Sequence, residues 1–131
     1  VLREGKKRLV ISAVETKEYP GKDGKPDSKA VQIRLSTTEE DRDTDNNVLH
    51  KGFGFNVVIF TTPNQYNSAS QIKEQLSMPV KAAFGREAAK TKSLKDCLGK
   101  TVDCLVKVRT GKGDFGDSNV VKTWLVPGEK Q

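Results

Sequence analysis

Short runs in which apolar and polar residues alternate dominate this chain, and they predict strands. Over residues 8–15 the run Leu9-Val10-Ile11-Ser12-Ala13-Val14 sets Leu9, Ile11 and Ala13 on one face, because successive side chains of an extended chain point to opposite sides. Residues 30–36 alternate more cleanly, with Val31, Ile33 and Leu35 inward and Gln32, Arg34 and Ser36 outward. A third strand, over about residues 50–61, places Phe53, Phe55, Val57 and Ile59 on one side. Gly52 and Gly54, interleaved with the rings, mark a bulge or the close approach of another backbone. The two phenylalanines read as core or, with a change of phase at Gly54, as an outer platform. Residues 101–109 put Val102, Cys104, Val106 and Val108 inside and Asp103, Leu105, Lys107 and Arg109 outside. Residues 119–126 form a fifth strand ended by Pro127.

Helical signals fall only between the third and fourth strands. Ser68-Ala69-Ser70-Gln71 has the form of a capping box, and Ile72 and Leu76 lie four apart on one helix face. Pro79 is expected to break that helix before a second piece carrying Val80, Ala83, Phe84 and Ala88, since proline lacks the amide hydrogen a helix interior needs. Another helical turn opens at Ser93 and stops at Gly99. Two segments rich in glycine and proline or aspartate, residues 19–26 and 111–117, read as long hairpin loops. The resulting order, β-β-β-α-β-β, is that of a five-stranded OB-fold barrel, here one domain over residues 1–131.

A chain of 131 residues has room for one core. It contains no apolar run near the roughly 20 residues that span a bilayer and no signal-peptide core, so a soluble cytoplasmic protein is expected. It begins at Val1 rather than methionine, which leaves room for further residues at either end. Cys97 and Cys104 lie seven apart, a spacing that matches no zinc motif, and read as ordinary buried thiols.

Charge changes the picture. The net charge is +6, but the run Glu39-Glu40-Asp41-Arg42-Asp43-Thr44-Asp45 has five acids and one base, −4, which leaves +10 elsewhere. A field of that sign attracts polyanions. OB barrels grip single strands with the face of their second and third strands and with the loops joining strands one to two and four to five. Those elements carry Lys17, Tyr19, Lys22, Lys25 and Lys29 in the first loop, Arg34 on the second strand, and Lys107, Arg109, Lys112 and Phe115 in the last hairpin. Cations neutralise phosphates, and rings stack on bases. Phe115 and Tyr19, beside glycines, are stacking candidates, or each packs as a lid on a barrel end. Trp124 with Lys122 points outward toward a base if Val121, Thr123 and Leu125 are inward; the opposite phase buries the indole.

Together, Gly5 to Val14, the helical stretch 79–89, the junction Leu94-Lys95-Asp96-Cys97-Leu98-Gly99-Lys100-Thr101-Val102 and the closing strand 119–127 resemble the OB-fold single-stranded-DNA-binding proteins of tailed phages and prophages. The resemblance implies sequence-tolerant binding of single strands in replication or recombination, partners among replication or recombination proteins, and a bacterial host cytoplasm as the setting. Such proteins often end in an acidic tail, whereas this chain ends Gly128-Glu129-Lys130-Gln131. The motifs do not separate DNA from RNA, which differ at one hydroxyl, and they give no oligomeric state.

Catalysis is not expected. His50 is the only histidine, no serine sits in a nucleophile elbow, and no phosphate-cradling glycine motif is present. Asp41-x-Asp43-x-Asp45 resembles the start of a calcium loop, but Asn46 and Gly52 stand where glycine and a bidentate glutamate are required. A solvated acidic loop is expected there instead, with no metal and no cofactor. The competing class is a protein-interaction or structural module on the same small barrel.

Overall fold

The computed structural model describes residues 1–21, 24, 27–63, 68–111 and 116–127. Its strands are β1 (Gly5–Tyr19), β2 (Ser28–Thr37), β3 (Asp41–Arg42), β4 (Val48–Leu49), β5 (Gly54–Phe60), β6 (Thr101–Arg109) and β7 (Ser118–Leu125). The helices α1 (Ala69–Phe84) and α2 (Arg86–Ala89) and a 3-10 turn, Leu94–Cys97, lie between β5 and β6. Five strands form one sheet in the order β5-β2-β1-β6-β7, every neighbour antiparallel. The outermost strands, β5 and β7, come within 8 Å of each other at their Cα atoms but exchange no ladder, so the sheet curls without closing into the expected barrel.

Packing follows the inward phase of the strands. Leu9 pairs with Val102, Ile11 with Leu35 and Leu35 with Phe55, and these stack on Ile33, Ile59, Cys104 and Val106 to form the core. Two bulges shift that phase. At Ser12 the ladder slips between Ile11 and Ala13, which sends Ala13 outward beside Arg34 and brings Val14 inward beside Ile33, against the simple alternation expected for the first strand. In β7 the slip spans Lys122, so Val121 and Trp124 both face the core, opposite Val106 and Cys104.

The capping box forms as expected: the Ser68 hydroxyl accepts from the Gln71 amide, and the Gln71 side chain accepts from the Ser68 amide. Pro79, however, does not break α1. Its ring is fully buried beside Val80 and Ala82, and that packing offsets the roughly 3 kcal/mol a proline costs inside a helix. The break falls instead at Gly85, whose φ of +86° only glycine adopts readily.

The acidic run is also not a loose loop. Residues 41–49 fold back as the β3-β4 hairpin, and Leu2, fully buried, bridges to Asp43. Asp43 accepts from the amides of Asp45 and Asn47 at 2.9 and 2.8 Å. Those bonds, that of Asn47 foremost, hold its carboxyl below the usual range. Asp41 takes Lys7 at 2.8 Å and Arg3 at 3.0 Å. Burial works against the Asp41 charge, but the Lys7 hydrogen bond, the Arg42 amide and the two cations outweigh it and leave the carboxyl below its ordinary value. The two aspartates are thus committed to donors within the chain.

Both cysteines are buried free thiols. Burial, with Asp96 and Asp103 adding repulsion, pushes Cys97 up to about 11 and Cys104 up to about 12. Only the thiolate attacks a thiol reagent. The native protein should therefore leave an aromatic disulfide reagent unreacted at pH 8, and two thiols should titrate on adding denaturant. Rapid native labelling would show that the 94–104 segment opens readily.

Among the described residues no helix is long and apolar enough to cross a membrane.

Candidate nucleic-acid interface

The outward face of β1, β2 and β5 gathers the groups of interest. The register sets three rows across it: Lys17, Ala30 and Phe60; Glu15, Gln32 and Val58; Ala13, Arg34 and Asn56. Tyr19 lies at the end of β1 on the same face, two residues beyond Lys17. Its ring meets that of Phe60 at 5.9 Å between centroids, tilted by 47°. Both rings are open to solvent, Tyr19 at 40% and Phe60 at 48%, and Val58 beside them is 40% exposed. Two touching rings and a valine thus form an exposed apolar patch beside the fully buried Ala30, outside the main core.

Arg34 lies across this surface. Its guanidinium covers Gly54, and a Cβ there would sit 2.9 Å from Nη2. The glycine between the two phenylalanines therefore admits a side chain rather than the backbone or bulge expected from the sequence. Arg34 makes no ion pair with another described residue, so its charge stays available. Lys17 is different: Glu15, on the same face, holds it at 3.0 Å, and that hydrogen bond raises the lysine's pKa. Lys29 pairs with Glu18 at 3.8 Å across the β1-β2 ladder, and both belong to the opposite phase from Arg34. Lys17 and Lys29, expected in the first loop, thus lie in β1 and β2, and a neighbouring glutamate partly neutralises each.

On the other half of the sheet, Lys107 and Lys122 line one shallow depression of about 190 Å³ with Leu105 and Gly5. Arg109 continues the outward row of β6 opposite Ser118. Arg8 is spent on Asp103, with bonds of 3.0 and 3.3 Å. Trp124 is half-buried and packs on the core, the inward of its two expected phases, because the bulge at Lys122 sets it opposite Cys104. Phe53 and Phe55 likewise pack on the core. Lys22, Lys25, Lys112 and Phe115 lie outside the described residues.

Phe60 and Val58 were not singled out from the sequence. In the run Val57-Val58-Ile59-Phe60 every position is apolar, so nothing in the residue types marks one pair as exposed. The available signal was the phase itself, since Phe53, Phe55, Val57 and Ile59 on one side leave Val58 and Phe60 on the other, where the register sets Val58 beside the outward Gln32.

No protein-family model matches the chain, and no curated protein sequence matches it either.

Proposed function

We propose that this chain is a non-catalytic OB-type domain that binds single-stranded nucleic acid, DNA first among candidates, with little sequence preference. The observation that carries the proposal is the Tyr19-Phe60 ring pair, solvent-exposed beside Val58 on the outward face of β1, β2 and β5, the face that also carries Arg34 two rows away over Gly54. That is the face on which OB-folds hold oligonucleotides. Rings there can stack on successive bases whatever their identity, and Arg34 can reach a phosphate or lie flat on a base. Connectivity supports the same reading. With β5 near β7, the circuit β1-β2-β5-β7-β6 follows the strand order expected of that partly open five-stranded fold, and α1 falls between the third and fourth principal strands as that reading requires. The protonated, buried thiols offer no nucleophile. The phage-type relatives suggested by the sequence would give such a domain its setting in replication or recombination.

Titration of a fluorescein-labelled oligonucleotide tests the proposal. Affinity should fall steeply as salt rises, because each neutralised phosphate releases a counterion, and unlabelled single strands should outcompete duplex of the same sequence. Equal competition by duplex would refute a single-strand site. Matched DNA and RNA strands in the same titration assign the preferred sugar.

A further inference from the structure

The helical side of the molecule carries a second feature that shares no residue with the β1-β2-β5 face. Between α1, α2 and the 3-10 turn lies a groove of about 560 Å³. Leu76, Val80, Ala89 and Leu94 are its apolar lining, and all four belong to or pack on the core. Around them stand Lys73, Lys81, Arg86, Lys90 and Lys92. Among the described residues, Glu74 lies 3.6 Å from Lys81, and Glu87 lies 3.2 Å from Lys90. Residues 68–100 contain seven basic and three acidic residues, a net of +4. Much of the chain's net +6 thus resides in this helical segment.

We propose that this groove docks a short acidic, amphipathic segment of a partner protein, with apolar side chains seated between α1 and the 3-10 turn and carboxylates on the lysine rim. Two features favour a peptide over a nucleic acid. Among the described residues the apolar lining is aliphatic, with no ring on which a base could stack. The Phe84 ring, which Lys92 of the rim approaches at 5.6 Å from its centroid, also has Lys100 at 5.8 Å. A volume of this size suits a few side chains, and a cationic rim selects carboxylates over neutral peptides. Because no strand residue is among the described residues that line the groove, a partner can sit there while the sheet holds a nucleic-acid strand.

The test uses the full chain and a short fluorescein-labelled peptide in which aspartates flank a leucine and a phenylalanine. Fluorescence anisotropy should saturate and weaken with salt. A peptide with lysines for aspartates, or serines for its apolar residues, should not bind. The double variant Lys73→Glu with Lys90→Glu should weaken the peptide by roughly tenfold or more, as loss and reversal of interfacial charge does. Ser77→Phe, which adds a ring to the groove lining without removing a core atom, should weaken it as well. Absence of saturable binding, or binding indifferent to the peptide's apolar residues, overturns the proposal, and so does binding unchanged in both protein variants when circular dichroism shows them folded. The labelled oligonucleotide, run on the same proteins, separates the two sites. If the charge reversal weakens oligonucleotide and peptide alike and the two compete, the groove extends the nucleic-acid path and no peptide dock exists. If the peptide binds and no oligonucleotide does, the docking site stands and the nucleic-acid reading falls.

Discussion

Replacing Tyr19 and Phe60 by alanine is expected to cost oligonucleotide affinity heavily while leaving the fold intact. A base stacked on an aromatic side chain contributes about 1–3 kcal/mol, so each single substitution should weaken binding by roughly 5- to 150-fold. The rings touch, so the double variant should lose less than the sum of the two singles. Little folding energy is at stake, because both side chains are already more than a third exposed. Arg34→Ala offers the contrasting signature: removing one phosphate contact should lower the slope of affinity against salt by about one, which the ring substitutions should not do. The measurement is the anisotropy titration at several salt concentrations, with melting followed alongside. Unchanged affinity in the double alanine variant, accompanied by a lower melting temperature, would make the ring pair a stability patch and remove the main support for a nucleic-acid site.

The second large effect concerns the N-terminal segment. Leu2→Ala is expected to destabilise the fold by about 2–5 kcal/mol, the range for truncating a fully buried leucine. Leu2 is held by more than its side chain. Its amide donates to Asn119 Oδ1 at 2.8 Å, and its carbonyl accepts from Asn119 Nδ2 at 2.7 Å, so one buried asparagine replaces a strand neighbour for residue 2. Asn119→Ala strands both backbone groups and should cost about 1–3 kcal/mol for each one left unpaired. The two substitutions remove parts of one junction, so their effects should not add. Urea unfolding reads both: the midpoint should fall at constant slope if the native state stays compact. A loss under about 1 kcal/mol for Leu2→Ala would mean that residues 1–3 and the β3-β4 hairpin stand outside the cooperative unit.

These two sites differ in how far they could be foreseen. Tyr19 and Arg34 were legible because each stands out against a local pattern: a ring ahead of Pro20-Gly21, and a charge in the outward phase of a cleanly alternating strand. Phe60 was hidden inside an apolar run. Asn119 looked like the first residue of a strand, because nothing local signals that its amide will serve residue 2, 117 positions away. The acidic run misled in the same way. Its charges predict solvent exposure, which Glu39, Glu40 and Asp45 have, but they do not predict that Lys7, near the start of β1, reaches Asp41 or that the run forms a hairpin instead of a loop.

Local pattern alone determined the number and order of the principal strands, the place of the helix between the third and fourth, the capping box at Ser68 and the inward faces of β2 and β6. Each of these rests on neighbours along the chain, where a two-residue period or a cap leaves a direct trace. Tertiary structure decided the bulges at Ser12 and Lys122, the survival of α1 through Pro79, the meeting of Tyr19 with Phe60 and the cationic groove beside α1. All of these depend on which strand or helix lies alongside. A bulge answers to the register of its partner, a buried proline to the packing around its ring, and a surface patch to residues brought together by the sheet from distant parts of the chain.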